Sequence, residues 1–143
     1  MDVSATAALP CPPDVAFAEV ADLSTYPAWL SIVHEVVTDG DDAWLVSLGA
    51  RMGPVGRTKR VRMARVVCEA PTHVRFERAE RDGRSHSPWV LDAALAASDD
   101  ATTTLTMSLH YGGSRWLPLL DMVLAQEIHR AGSRLAARLS RRS

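Results

Sequence analysis

Five turn signals follow one another along the middle of this 143-residue chain. They are Asp39-Gly40-Asp41-Asp42, Gly53-Pro54-Val55-Gly56, Ala70-Pro71-Thr72, Arg81-Asp82-Gly83-Arg84 and Ser98-Asp99-Asp100. Glycine, proline and aspartate favour turns, and closely spaced turns connect antiparallel strands. Between the turns apolar and polar residues alternate, as at Leu105, Met107 and Leu109, which predicts strands with one apolar face. Five turns therefore predict six consecutive strands.

The first thirty residues predict a strand followed by two short helices. Residues 2–9 are mostly small and are compatible with a strand. Pro12-Pro13-Asp14 then predicts a helix start, because proline fits the first turn and an acidic side chain favours a helix N-terminus. Ser24 is placed to cap a second helix, to which Tyr26 and Trp29 supply apolar contacts. We expect a bent helix pair between strands 1 and 2.

The C-terminal part of the chain predicts a long amphipathic helix that begins between Ser114 and Leu117. Its apolar positions recur every three or four residues: Leu117, Leu120, Leu124, Ile128, Ala131, Leu135 and Leu139. A helix of about 24 residues with one apolar stripe needs an apolar partner, and a curved sheet is the one that this chain offers. The prediction is an α+β fold in which a seven-stranded curved antiparallel sheet surrounds the helix, with residues 1–143 forming a single domain.

One set of N-terminal residues, together with the hairpins and the terminal helix, carries a family resemblance. The residues are Ala8-Leu9-Pro10-Cys11-Pro12-Pro13-Asp14-Val15-Ala16-Phe17, then Val20, Asp22, Tyr26, Pro27 and Trp29. With these residues the chain resembles the START-related, polyketide cyclase/dehydrase and lipid-transport (SRPBCC) superfamily and its helix-grip fold. Members bind lipids, cyclise polyketides or hold protein partners, so the fold alone assigns no activity.

The resemblance implies a ligand site between the inner sheet face and the terminal helix. It implies a lining of Val46, Leu48, Val61, Met63, Phe76, Trp89, Leu91, Met107, Leu109 and Tyr111 from the strands, and Leu120, Leu124 and Ile128 from the helix. Arg65 is included because it shares the phase of Val61 and Met63, and an inward arginine must be paired or contact a ligand anion. The alternative for the apolar members is that they fill a core, since every core produces such a stripe.

The sequence predicts no catalytic residue, no metal site and no cofactor. Its five histidines fall in no known catalytic or metal-binding frame, and its glycines form no phosphate loop. A net charge of −1 argues against a nucleic-acid partner. Cys11 and Cys68 lie far apart, and no secretory leader or membrane-spanning run is recognisable, so a cytoplasmic location is expected.

Basic residues recur across predicted strands 4 and 5. They are Arg57, Lys59, Arg60, Arg62, Arg65, Arg75, Arg78, Arg81 and Arg84. Because glutamates are interleaved with them, the run, Arg65 excepted, is predicted to form a solvated outer face with cross-strand ion pairs. The alternative is a patch for an acidic partner or an anionic head group.

Three functions are compatible with these patterns. The first is a carrier that binds a small hydrophobic molecule, a lipid or a polyketide-like compound, with little or no catalysis. The second is a polyketide aromatase/cyclase-like or dehydrase-type enzyme that folds a reactive chain, with Tyr111 and Arg65 as candidate groups. The third is a protein-interaction module that uses the helix or basic strand residues such as Arg60 and Arg62.

Overall fold

The computed structural model describes residues 2–52, 55–112 and 118–142, and their side chains except those of residues 50–58, 118–125 and 142. The elements in chain order are β1 (Asp2–Leu9), α1 (Pro13–Val20), a short 3₁₀ helix (Leu23–Ala28), β2 (Val33–Thr38), β3 (Ala43–Met52), β4 (Val55–Glu69), β5 (His73–Arg78), β6 (Trp89–Asp99), β7 (Thr102–Tyr111) and α2 (Pro118–Arg142). The predicted helix-grip architecture is confirmed, although the predicted helix start between Ser114 and Leu117 lies outside the described residues.

Within these ranges the strands form one seven-stranded antiparallel sheet in the order β1-β7-β6-β5-β4-β3-β2. Strands β2 to β7 pair with their neighbours in sequence, whereas β1 pairs with β7. The two edge strands are therefore β1 and β2, and the helix pair between them crosses from one edge of the sheet to the other. Along this crossing α1 contacts β6 and β7, and the 3₁₀ helix contacts β2.

Helix α2 lies against the concave face with the predicted apolar stripe. Its described buried positions are Ile128, Ala131, Leu135 and Leu139, which recur at helical spacing. The helix approaches β1 closely, because Gly132 faces Ala7 and a Cβ at position 132 would collide with the Ala7 side chain. Small residues on β1 therefore allow α2 to pack closely against the sheet.

The second short helix differs from its prediction. Asp22, in an extended conformation, is the N-cap: its Oδ1 accepts a hydrogen bond from the Ser24 backbone N–H at 3.0 Å, and another from the Ser24 hydroxyl. The prediction that Ser24 caps this helix is therefore wrong by two positions. The Tyr26 hydroxyl donates to the Val20 carbonyl at 2.7 Å and fixes the bend between the two helices.

No helix in the described ranges combines the length and the apolar composition needed to cross a membrane.

Candidate ligand-binding site

An apolar cavity lies between the concave sheet face, the segment around the 3₁₀ helix, and α2. Its described lining consists of Leu23, Leu30, Ile32, Val33, Val46, Leu48, Met63, Trp89, Leu91, Leu109 and Ile128. The cavity volume is about 30 Å³. Such a space has room for about two water molecules, whereas small-molecule sites usually enclose at least about 300 Å³.

The structure brings several of the predicted site residues together around this cavity. They are Val46, Leu48, Met63, Trp89, Leu91, Leu109 and Ile128. Met107 and Ile128 line a second, smaller space of about 10 Å³ between β1, β7 and α2. The side chains of Leu120 and Leu124 lie outside the described residues. Contact of any of these residues with a ligand stays a prediction.

Four lining residues come from a segment that periodicity did not assign to the site. Leu23, Leu30, Ile32 and Val33 lie between α1 and the start of β2, where the chain passes over the sheet. The available signal was the apolar run after Trp29, which continues into β2. Leu30 and Ile32 lie in irregular chain between the 3₁₀ helix and β2, so tertiary packing sets the direction of their side chains.

Phe76 and Val61 are buried in the core and are absent from the described cavity lining. Phe76 packs edge-on against Trp44, with ring centroids 5.6 Å apart, and against Tyr26 at 6.1 Å. Tyr26 in turn packs on Trp29 at 4.3 Å. Burial raises the pKa of the Tyr26 phenol well above its ordinary value, so this hydroxyl stays protonated and donates to Val20. These rings fix the helix pair on the sheet.

Arg65 points inward as predicted, and it is paired. Its Nη1 donates to the Ala21 carbonyl at 2.8 Å, and its Nη2 lies 2.6 Å from Asp42 Oδ1. Its guanidinium carbon lies 5.6 Å from the Trp44 ring centroid. Since Ala21 is the C-cap residue of α1, these contacts attach the end of that helix to the sheet. Ligand contact by Arg65 stays a prediction, with the guanidinium already occupied on two sides.

Trp89 and Tyr111 form a stacked pair beside the cavity. Their ring centroids are 5.4 Å apart at an interplanar angle of 25°, and both side chains are buried. The indole N–H of Trp89 is buried and has no acceptor among the described residues. A buried donor without an acceptor is unfavourable by about 1–3 kcal/mol, and the cavity surface is entirely apolar, so this N–H does not open into the cavity.

The basic run forms the predicted solvated outer face only in part, since Arg60, Arg81 and Arg84 are exposed whereas other described members are not. Arg62 is buried on β4, where its Nε lies 2.7 Å from Asp39 Oδ2 and its Nη1 donates to the Ala79 carbonyl at 2.8 Å. Lys59 lies two residues from Val61 on β4, and Arg78 lies two residues from Phe76 on β5. Both basic residues are therefore on the concave side of their strands. The two-residue alternation indicated that these side chains face the concave side. They were predicted to face solvent because they are charged.

A polar cluster therefore stands beside the apolar cavity. Arg78 Nε donates to Glu80 Oε2 at 2.7 Å, and the Arg78 side chain is 9% exposed. Burial, together with the neighbouring Arg78 charge, lowers the pKa of Lys59, and Glu80 partly opposes this shift. Among the described residues, no three His, Cys, Asp or Glu side chains come together as a candidate metal site.

The family model described as polyketide cyclase / dehydrase and lipid transport matches residues 1–142. A conserved protein from Geobacillus kaustophilus superposes with a TM-score of 0.78 at 14% identity, covering 99% of this chain and 96% of that one. A START superfamily protein from Mycobacterium smegmatis gives 0.75 at 11% identity, covering 99% of both chains. The Zhui aromatase/cyclase from a Streptomyces species gives 0.73 at 13% identity, covering 99% and 94%. At these identities the similarity is one of fold. No match was found among curated protein sequences.

Proposed function

We propose, because this chain belongs to the polyketide cyclase/dehydrase and lipid-transport family, that it binds a small hydrophobic molecule between the curved sheet and α2. Family and fold fit a START-type ligand-binding domain. The observation that carries the proposal is the apolar cavity, to which β3, β4, β6 and β7, the 3₁₀-helix segment and α2 all contribute. A lipid or a polyketide-like compound is the class of ligand that we propose.

The lining selects for apolar ligands. Its side chains are aliphatic except for Met63 and Trp89, and the indole N–H is the one polar donor among them. A polar ligand would lose its hydration there with little return, whereas apolar surface gains about 25 cal/mol for each Å² removed from water. Recognition at this site is therefore expected to follow hydrophobic area.

Ligand binding at this site requires movement of its walls. The space of about 30 Å³ between the described side chains is far smaller than any lipid. Met63 is unbranched and adapts readily to irregular shapes, and Leu48 is half-exposed at the edge of the cavity. We expect these two side chains to be displaced when a ligand enters.

An uncharged fluorescent probe, N-phenylnaphthylamine, tests the proposal. We expect saturable binding to the purified protein, with Leu48→Trp weakening it about tenfold because the larger ring fills the cavity. The matched control is Val66→Trp, which adds the same ring at an exposed position of β4 and should leave binding unchanged. Absence of saturable probe binding to the wild type, with no lipid recovered by mass spectrometry of an organic extract, would contradict the proposal.

A cyclase-type activity is a second candidate, favoured by the position of Tyr111 against the cavity-lining Trp89. A phenol there could hold a carbonyl of a bound polyketide chain, and exclusion of water would then favour ring closure. Arg65, the other candidate group, has its guanidinium engaged by Ala21 and Asp42. With a linear polyketide substrate, this candidate requires cyclised product from the wild type and loss of product from Tyr111→Phe with ligand binding retained.

A further inference from the structure

We propose that the ligand carries a carboxylate, which Lys59 and Arg78 hold at the polar edge of the cavity. This inference rests on the proposed function, since it assigns a head group to the same ligand. It makes the ligand an amphiphile with an apolar body and one acidic end.

Strand register places both basic residues beside the cavity. Lys59 of β4 lies directly across from Leu48 of β3, and Arg78 of β5 lies directly across from Met63 of β4. Leu48 and Met63 both line the cavity. The β3–β4 pairing is regular over this stretch, and the bulge in the β4–β5 pairing falls beyond Arg65, so the pleat directs Lys59 and Arg78 to the concave face.

The polar cluster of Lys59, Arg78 and Glu80 has a net positive charge. Glu80 pairs with Arg78, whose Nη1 also donates to the Ser87 carbonyl at 3.3 Å. Arg78 Nη2 and the Lys59 ammonium have no hydrogen bond or ion pair within the described part of the chain. Two cations and one carboxylate leave one positive charge in excess, and its free donors belong to two different strands.

A partly buried, unpaired cation is energetically unfavourable, and an anion would relieve it. Lys59 is half-buried, and the lowered pKa noted above reflects both its desolvation and its repulsion by Arg78. A carboxylate between the two would restore the attraction that water no longer supplies. It would also accept charge-assisted hydrogen bonds from both residues, which are stronger than neutral ones.

A surface groove offers the acid end contact with solvent. It has a volume of about 330 Å³ and is lined by Arg78, Ala79, Glu80, Arg84, His86, Ser87 and Pro88. Pro88 directly precedes the cavity-lining Trp89, so groove and cavity share one segment of chain. Arg78 lines the groove and lies across from the cavity-lining Met63, so a carboxylate held by Arg78 would lie between cavity and groove, where Arg84 adds a further positive charge.

Displacement of N-phenylnaphthylamine by decanoic acid and by decanol tests the head group. The two competitors have the same chain length, and at neutral pH only the acid is charged. We expect the wild type to prefer the acid by about tenfold, the effect of one well-placed charge-assisted hydrogen bond. Lys59→Met should remove this preference, because it weakens displacement by the acid more than displacement by decanol, and Lys59→Arg should retain it. Circular dichroism verifies that each variant is folded.

Arg60→Met is the matched control, because it removes the same charge at the neighbouring, exposed position of β4. It should keep the preference for the acid. If the probe binds but the wild type does not distinguish acid from alcohol, or if Lys59→Met and Arg60→Met behave alike, the carboxylate site is wrong and the apolar cavity stands. If the probe does not bind and no lipid is recovered from an organic extract, the proposed function fails, and this inference fails with it.

Discussion

Glu19 is the residue whose burial is hardest to explain by hydrophobicity. It lies on α1 with only 4% of its surface exposed, and its Oε2 accepts a hydrogen bond from Arg138 Nε of α2 at 3.0 Å. A buried carboxylate is tolerated when it is paired, and here the pair joins two helices that are far apart in sequence. The contact therefore fixes the C-terminal half of α2 to the N-terminal helix pair.

Glu19→Gln is predicted to lower the free energy of unfolding by about 1–3 kcal/mol. Glutamine has nearly the same shape, so the loss reports the charge and not the packing. Urea unfolding followed by circular dichroism measures the change. Glu35→Gln, at an exposed position of β2, is the control and should stay within about 0.5 kcal/mol of wild type. Equal effects of the two substitutions would show that the Glu19–Arg138 pair contributes nothing.

At the level of elements, the contact between β1 and α2 explains why both carry small residues. Gly132 of α2 faces Ala7 of β1, and an added Cβ would meet the Ala7 Cβ well inside van der Waals contact. Glycine in a helix interior is unfavourable by about 1 kcal/mol relative to alanine. Its presence here indicates that close approach of the helix to the strand outweighs helix propensity.

Gly132→Ala is therefore predicted to destabilise the protein, by about 1–3 kcal/mol after the gain in helix propensity is subtracted. Ala7→Gly removes the opposing methyl group, so the double variant should be more stable than the sum of the two single effects predicts. A double-mutant cycle from urea unfolding measures this coupling. A stabilising Gly132→Ala, or strictly additive effects, would show that helix and strand are not in steric contact.

The elements were largely predictable from sequence, whereas several details of the site were not. Alternation and turn residues located the six hairpin strands, and helical spacing located the buried face of α2, because both patterns repeat over many residues. The cap at Asp22 and the cavity wall at Leu30 depend on single tertiary contacts, which periodicity does not encode. The prediction for Lys59 and Arg78 failed for a different reason. Their position in the two-residue alternation indicated the concave face, but charged residues were assumed to face water.

At the scale of the whole molecule, two kinds of titrating group act on stability in opposite directions. Hydrogen bonding to Asp92, with help from Glu69, raises the pKa of His73, so its contribution is present below about pH 6.5 and is lost as pH rises. A hydrogen bond from Arg62 lowers the pKa of Asp39, and a backbone hydrogen bond from Arg84 lowers that of Asp82. Their contributions are present above about pH 3.8 and are lost as pH falls. The fold is expected to be most stable between these limits.

His73→Gln is predicted to reduce the difference in unfolding free energy between about pH 5.5 and about pH 8. In the wild type His73 Nε2 lies 2.6 Å from Asp92 Oδ1 across β5 and β6, and protonation strengthens this contact. Because both side chains are 31% exposed, solvent screening should keep the effect below about 1 kcal/mol. Urea unfolding at the two pH values measures it. His129→Gln, at an exposed position of α2, is the control and should keep the wild-type difference. If His73→Gln keeps it too, the His73–Asp92 contact does not link protonation to folding.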